Sequence, residues 1–203
     1  NRGSGQLTLW CTSQNPHIHR FLCSVMLKLP EHRVRVIAPE VGGGFGSKIP
    51  AYPDEALVSL AAMDLGRPVK WTEDRSENYK VTIHGRDHIE YVEMCGTRDG
   101  KITGLRTRVY AGLGGYASTA GPGIPTILHG LIYSGAYTIP NILGVIHGVY
   151  NNGTPVDAYR GAGRPEAAFL VERLVDIFEP TARTVEALNR LVVPAGVFIK
   201  IRA

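Results

Sequence analysis

The spacing of apolar residues along the chain predicts three amphipathic helices. In the first, at residues 17–29, apolar side chains recur every three or four positions and predict one buried stripe. Its members are Ile18, Phe21, Leu22, Val25, Met26 and Leu29. A second helix is predicted over Pro53–Leu65, ended by Gly66, and a third over Pro165–Phe178.

Short runs rich in β-branched or alternating residues predict strands between these helices. The predicted strands are Leu7–Thr12, Arg33–Pro39, Val69–Trp71, His88–Cys95, Ile102–Tyr110 and Ile142–Tyr150. Asp99–Gly100 indicates a hairpin between two of them, and the small residues of Leu113–Pro125 predict a flexible segment. Because strands and helices mix without strict βαβ alternation, the pattern predicts an α+β fold, a mixed sheet with packed helices.

Composition fits this picture of a globular protein. The chain has 203 residues, 44% of them hydrophobic, and a net charge of +4, too small and too dispersed to indicate nucleic-acid binding. This length fits one domain, predicted over 1–178, with a divergent or poorly packed tail over 179–203. No apolar run approaches the roughly 18 residues of a membrane span.

The cysteines and the first residues add two expectations. Cys11, Cys23 and Cys95 form no C-x-x-C pair, which argues against a disulfide framework and favours a reducing, cytoplasmic location. The chain begins at Asn1 without methionine and enters a strand almost at once, so we interpret it as an internal segment of a longer protein.

Three loops carry the candidate chemistry: Thr12–His17, Val41–Lys48 and Asp157–Arg164. Each leaves a strand with small residues at the turn, where backbone can approach a ligand closely. The glycine loop completes neither nucleotide motif, because Ser47 replaces both the Walker A lysine and the third glycine of a dinucleotide fingerprint. The predicted helix also starts too late for its amides to hold a pyrophosphate. A nucleotide-binding domain remains an alternative hypothesis.

Four side chains in these loops are candidates for ligand contact. Gln14 offers a neutral amide, and Phe45 is displayed on a glycine-rich backbone that suits a bulky, planar or metal-bearing cofactor. Arg160 and Arg164 offer forked donors for an anion or cofactor. The alternatives are a local turn residue, an ordinary core phenylalanine and solvated arginines at a helix entry.

The histidines suggest no metal site. His17 and His19 point to different faces of the first helix, so we interpret them as polar-face or capping residues. The remaining candidates show no ligand spacing; they are His84, His88, His129 and His147.

Six segments in this order resemble the molybdopterin-binding large subunit of the xanthine dehydrogenase, aldehyde oxidase and aerobic carbon monoxide dehydrogenase family. They are 12–17 (TSQNPH), 41–48 (VGGGFGSK), 66–71 (GRPVKW), 99–102 (DGKI), 135–140 (GAYTIP) and 158–166 (AYRGAGRPE). The resemblance covers residues from about 8 to 178 and implies part of a molybdenum-cofactor-binding domain.

The resemblance also implies roles for particular residues. Gln14 matches a glutamine whose amide hydrogen-bonds an oxo ligand of molybdenum, and Phe45 and Gly46 match residues that lie against the metal centre and its pyranopterin. Arg160 matches an arginine whose loop flanks the metal on its other side. The implied cofactor-binding set is Gln14, Gly43, Gly44, Phe45, Gly46, Arg160, Gly161 and Ala162. We expect the three loops to converge into one cradle.

The family hydroxylates its substrates with water as the oxygen source. The resemblance therefore implies molybdopterin or its cytosine dinucleotide, with electrons leaving through [2Fe–2S] clusters on a small subunit to FAD on a medium subunit. The general base, a distal glutamate, has no counterpart here, so we expect no catalytic base in this chain and no turnover by it alone. A non-catalytic remnant or binding module that keeps the fold without the cofactor is the alternative.

Two departures from the family pattern narrow the expected substrate. Gly161 stands where the carbon monoxide enzymes carry a copper-binding cysteine, so true CO oxidation is not expected. Ile49 and Ala162 stand where purine hydroxylases carry a glutamate and an aromatic residue. An aldehyde or a small N-heterocycle is therefore the expected substrate.

Overall fold

The computed structural model describes residues 3–97, 99–178 and 197–202. The chain divides into two compact units, residues 1–84 and 85–203, called here the first and second unit. Helices and a mixed sheet are both present, so the predicted α+β class is confirmed.

The first unit is built on a strand–helix–strand motif. Strands β1 (Leu7–Trp10) and β2 (Val34–Ile37) pair in parallel, and helix α1 (Pro16–Met26) connects them, followed by a short 3₁₀ turn at Glu31–Arg33. Leu7 pairs with Val34, which sets the register. The small core of this motif consists of Leu9, Cys23, Leu27 and Val34.

The face of α1 that is buried differs from the prediction. Its buried residues are His19, Cys23 and Ser24, whereas the predicted stripe is largely exposed. The exposed members of that stripe are Ile18, Phe21, Val25 and Met26. The prediction was wrong because helical spacing shows which residues share a face but not which face the neighbouring strands cover.

Two further helices complete the first unit. Helix α2 spans Pro53–Leu65 as predicted and ends at Gly66, whose φ of 64° is left-handed and whose N–H donates to Ala62 at 3.0 Å. Helix α3 (Arg75–Val81) was not predicted, although Asp74 and Glu77 form a reciprocal capping box at its start. The predicted strand Val69–Trp71 is not a strand here, since residues 69–71 pair with no strand of the described chain.

The second unit contains a four-stranded mixed sheet. Its strands are β3 (His88–Gly96), β4 (Ile102–Gly114), β5 (Ile142–Tyr150) and β6 (Val197–Arg202), in the spatial order β5-β4-β3-β6. The pair β3–β4 is antiparallel, as the predicted hairpin requires, and β4–β5 and β3–β6 are parallel.

Helix α4 (Arg164–Phe178) packs against two short helices that lie between β4 and β5. These are a π-helix at Ile124–His129 and a 3₁₀ turn at Gly130–Ile132. The segment predicted to be flexible is thus partly ordered, since β4 runs on to Gly114. Side chains of the sheet and α4 form the larger core, which includes Val92, Met94, Leu105, Val109, Ala167, Leu170, Val171 and Leu174.

The predicted tail falls mainly outside the described residues. Residues 179–196 and 203 are not described, and β6 occupies the intervening segment. The division into a domain over 1–178 and a tail therefore stays a prediction. None of the described helices has the length and apolarity needed to cross a membrane.

Candidate functional site

Gln14 and the glycine loop hold each other in the first unit. The Gln14 backbone N–H donates to the Lys48 carbonyl at 3.1 Å, and the Gly46 N–H donates to Gln14 Oε1 at 3.0 Å. With Oε1 engaged in this way, the NH₂ end of the exposed amide is the end that can donate to a ligand. The predicted role of Gln14 as a donor therefore fits its local geometry.

The backbone of the glycine loop is largely left-handed. Gly42, Gly43 and Gly46 have φ values of 65°, 107° and 93°, and Phe45 has a φ of 52°. A Cβ on Gly43 would lie 2.5 Å from the Phe45 ring, and one on Gly44 would collide with the Gln14 amide. Glycine is therefore required at both positions, while the Phe45 ring is held in place with 59% of the residue exposed.

A buried polar network supports the Gln14 loop from below. Ser13 Oγ lies 2.8 Å from His19 Nδ1, and Asn15 Oδ1 lies 3.0 Å from the same nitrogen. The other ring nitrogen of His19 lies 3.3 Å from Glu55 Oε2 on α2. Burial lowers the pKa of His19, but the hydrogen bond and charge of Glu55 outweigh it, so the pKa is raised. His19 is thus a buried positioning residue rather than a polar-face residue, a role that sequence spacing did not reveal.

The two thiols near this network stay protonated. Burial, assisted by the Glu55 carboxylate, raises the pKa of Cys11 to about 12 and that of Cys23 to about 11. All three cysteines are free. Neither Cys11 nor Cys23 is therefore prepared to act as a thiolate nucleophile.

The glycine loop does not have the features of a phosphate loop. Helix α2 begins at Pro53, well beyond Gly46, so its first amides do not adjoin the loop. The Lys48 ammonium donates to the Val41 carbonyl and closes the loop on itself. The nucleotide-binding alternative gains no support from this geometry.

The third loop, Asp157–Arg164, lies in the second unit and is also left-handed. Four consecutive residues, Arg160 to Gly163, have φ values of 26°, 112°, 50° and 84°. Asp157, only 1% exposed, accepts hydrogen bonds from the Ala120 N–H at 2.9 Å and from the Ala158 N–H at 2.5 Å. The loop therefore starts from a buried carboxylate whose two oxygens both hold backbone.

Arg86, which the sequence did not single out, clamps the same loop. Its guanidinium donates to the Tyr159 carbonyl at 3.0 Å and to the Arg160 carbonyl at 2.8 Å. It also pairs with the largely buried Glu166 of α4 at 3.3 Å and lies over the Tyr159 ring, 5.6 Å from its centroid. The forked donors of arginine suit these several acceptors at once. No local motif identifies Arg86, because its partners are far away in sequence.

The predicted site residues therefore form two groups. In the first unit the structure brings together Gln14, Gly43, Gly44, Phe45 and Gly46. In the second unit it brings together Arg160, Gly161 and Ala162, held by Arg86. That both groups contact one cofactor stays a prediction.

A comparison with protein families gives a match over residues 1–181 to the molybdopterin cofactor-binding domain. The chain belongs to this family. The resemblance inferred from the six segments, to large subunits of molybdenum hydroxylases, is thereby confirmed.

Individual relatives agree with this family. The chain is 44% identical over 177 residues to the carbon monoxide dehydrogenase large chain of Hydrogenophaga pseudoflava, a match that covers 85% of this chain and 22% of the relative. It is 37% identical over 171 residues to the 6-hydroxypseudooxynicotine dehydrogenase complex subunit gamma of Paenarthrobacter nicotinovorans, covering 84% of this chain and 21% of that one.

Solved structures of the family share the fold. The reconstituted CO dehydrogenase from Oligotropha carboxidovorans matches with a TM-score of 0.80 and 37% identity, over 92% of this chain and 24% of that chain. The chain thus spans less than a quarter of the length of these relatives.

Proposed function

We propose that the chain is part of the molybdenum-cofactor-binding subunit of an oxidoreductase that hydroxylates an aldehyde or an N-heterocycle. The electrons released by this reaction pass through [2Fe–2S] clusters on a small partner subunit to FAD on a medium partner subunit. The free cysteines and the absence of a C-x-x-C pair favour a complex in the cytoplasm. The chain supplies cofactor-holding loops and no general base, so we expect the chain alone to have no turnover.

The observation that carries this proposal is the fixed orientation of the Gln14 amide. The Gly46 N–H occupies Oε1, so the amide offers its NH₂ group, and the loop that holds it also carries the exposed Phe45 ring. An oxo group is an acceptor, and a neutral amide donates to it without adding a formal charge near the metal. The amide donor and the aromatic ring of the glycine loop thus fit an oxo-bearing cofactor attached to a planar organic ligand.

When bound, the molybdenum cofactor supplies Lewis-acid and redox chemistry. The residues that would hold it in the first unit are Gln14 through its amide, and Gly43, Gly44, Phe45 and Gly46 through the left-handed loop. Arg160, Gly161 and Ala162 would hold it from the second unit, on a loop fixed by Asp157 and Arg86. These residues bind and orient the cofactor, whereas removal of a proton from water falls to a base outside this chain.

The conformation of Gly161 supports a substrate other than carbon monoxide. Its φ of 112° is rarely adopted by residues with a side chain, and a Cβ there would lie 2.5 Å from Pro165 Cγ. A copper-binding cysteine would therefore be strained in this loop. Without a soft thiolate, the loop has no ligand for cuprous copper.

Metal analysis and substrate assays of the natural enzyme complex, isolated with its partner subunits, test the proposal. We expect about one molybdenum per large subunit, no copper, and turnover of aldehydes or N-heterocycles. In Gln14→Glu a carboxylate would face the oxo group, so kcat should fall by about tenfold to a hundredfold with molybdenum content retained. The matched control is Gln6→Glu, which changes the other glutamine of the chain and should leave kcat unchanged.

The outcomes separate the alternatives. A complex that contains no molybdenum would overturn the proposal in favour of a non-catalytic binding module. Copper at one equivalent together with CO oxidation would contradict the assignment of the substrate class. If Gln14→Glu retained full kcat, the amide would have no part in the reaction.

A further inference from the structure

Two histidines and a glutamate meet inside the second unit. His88 and Glu90 are two residues apart on β3 and therefore share one face of the sheet. His129 is the last residue of the π-helix. Their side chains are at most 6% exposed, and β3 pairs there with the wholly buried Val109 and Ala111 of β4. The cluster therefore lies in an apolar core rather than on the surface.

The polar atoms of this cluster converge on one carboxylate oxygen, which His88 Nδ1 engages in a hydrogen bond. Glu90 Oε1 lies 3.1 Å from His88 Nδ1 and 3.0 Å from His129 Nε2. His129 is completely buried, and its Nε2 makes no aligned hydrogen bond within the described part of the chain. Its neighbour at this nitrogen is the Glu90 carboxylate, so two ring nitrogens and one carboxylate oxygen converge on a single buried point.

The second nitrogen of His129 is already engaged. Its Nδ1 lies 3.2 Å from the Tyr133 hydroxyl, which is itself buried. A hydrogen bond at one ring nitrogen of this kind commonly orients the other nitrogen toward a metal ion. Tyr133 thus holds the ring with Nε2 directed at the Glu90 carboxylate.

We propose that His88, Glu90 and His129 bind one divalent transition-metal ion of the zinc class. The three potential ligand atoms lie within 4.8 Å of one another. Ligand atoms at bond lengths of about 2.0–2.2 Å around one ion are themselves separated by roughly 3–4 Å. The two ring nitrogens lie at 3.1 and 3.0 Å from Glu90 Oε1, in this range. The positively charged ion would accept both the nitrogen lone pairs and the carboxylate as ligands.

The ligand types define the class of ion. Two imidazoles and one carboxylate suit zinc and its first-row neighbours, whereas calcium and magnesium prefer all-oxygen sites. Three protein ligands leave a fourth position for water.

An ion bound to these three side chains would link β3 to the π-helix. A Cβ added to Gly163 would lie only 3.1 Å from His129 Cβ, so the third loop packs directly on this helix.

Zinc binding to the full 203-residue chain tests the proposal. After treatment with a chelator, titration with Zn²⁺ should give one site per chain and raise the unfolding temperature. X-ray absorption of the zinc-loaded chain should show only nitrogen and oxygen neighbours, at about 2.0–2.1 Å. No sulfur neighbour is expected, because the cluster contains no cysteine.

Variants identify the ligands. His129→Gln and His88→Gln should each weaken Zn²⁺ binding by at least about a hundredfold. The matched control is His147→Gln, which changes an exposed histidine of β5 and should not alter zinc affinity. Glu90→Gln keeps the side-chain shape and should also lose zinc, so it serves if a histidine variant fails to fold.

Two results would overturn the proposal. One is the absence of a stoichiometric Zn²⁺ site in the unaltered chain. The other is a site that persists in Glu90→Gln and His88→Gln. The experiment measures zinc binding rather than molybdenum content or turnover. Failure of the zinc proposal is therefore distinguishable from failure of the proposed enzyme function.

Discussion

The two units hold their loops by different physical means. In the first, Gln14 and the glycine loop bind each other through neutral amide and backbone groups, above a core of four buried side chains. In the second, the Arg160 loop is fixed by the charged groups of Arg86, Asp157 and Glu166 beside a larger core. The first unit also exposes most of the apolar stripe of α1. The larger core and the charged clamp thus belong to the second unit, whereas charge enters the first through Lys48 and the buried His19–Glu55 pair.

The largest effect should come from the larger core. Met94 is completely buried in the second unit, so Met94→Ala should lower its free energy of unfolding by about 2–5 kcal/mol. Hydrogen exchange of the 203-residue chain should show loss of protection in β3 and β4. Protection in β1 and β2 should be unchanged, and equal loss in both units would mean that they unfold as one. Leu27→Ala is the matched variant in the first unit.

The charged clamp should give an intermediate effect. Arg86→Lys keeps one positive charge but cannot reach both carbonyls and Glu166, so we expect a local loss of about 1–3 kcal/mol. Hydrogen exchange in residues 157–163 should rise, while residues 42–46 stay unchanged. Arg106→Lys is the control, because Arg106 pairs with Glu93 at the surface, where ion pairs contribute little. Unaltered exchange in residues 157–163 would show that Arg86 does not hold the loop.

The smallest effect is a pH dependence confined to the first unit. The pKa of His19 is raised in the folded chain. Its pairing with Glu55 therefore stabilises the folded first unit fully at pH values below the pKa of histidine in the unfolded chain, about 6.5. That stabilisation is lost as the pH rises through the folded pKa. Both tryptophans, Trp10 and Trp71, lie in the first unit, so their fluorescence during urea unfolding measures the change.

His19→Gln provides the control for this pH dependence. Gln cannot be protonated, so the unfolding midpoint of the variant chain should vary less with pH between about 6 and 9 than that of the unaltered chain. A midpoint that rises with pH in the unaltered chain would contradict the assigned direction. Equal pH profiles in both chains would show that His19 does not carry the effect.

Local signals account for the parts of the structure that the sequence predicted well. Pro53 and Gly66 mark the two ends of α2, and β5 has the predicted bounds because its β-branched run is followed by turn residues. Asp74 and Glu77 form a comparable local signal for the start of α3, a capping box. The candidate residues of the three loops were indicated by the resemblance of six segments to the molybdopterin-binding family. The family match confirms that resemblance.

The remaining features depend on contacts between distant parts of the chain. Spacing within α1 could not show that β1 and β2 would cover the Cys23 face rather than the Phe21 face. Arg86 and Glu166, or His88 and His129, meet only after the sheet and helices have formed. Their side chains carry no local pattern that distinguishes them from ordinary surface or core residues.

Both loops place residues other than glycine in left-handed conformations, Phe45 in one and Arg160 and Ala162 in the other. Each such residue costs roughly 1–2 kcal/mol relative to glycine. Replacing these residues by glycine would therefore be an easy way to raise the thermal stability of the protein, although the same residues give the loops their shape. A search guided by thermal tolerance alone would replace these residues first and lose the loop geometry that we propose holds the cofactor, so it should exclude these positions from the outset.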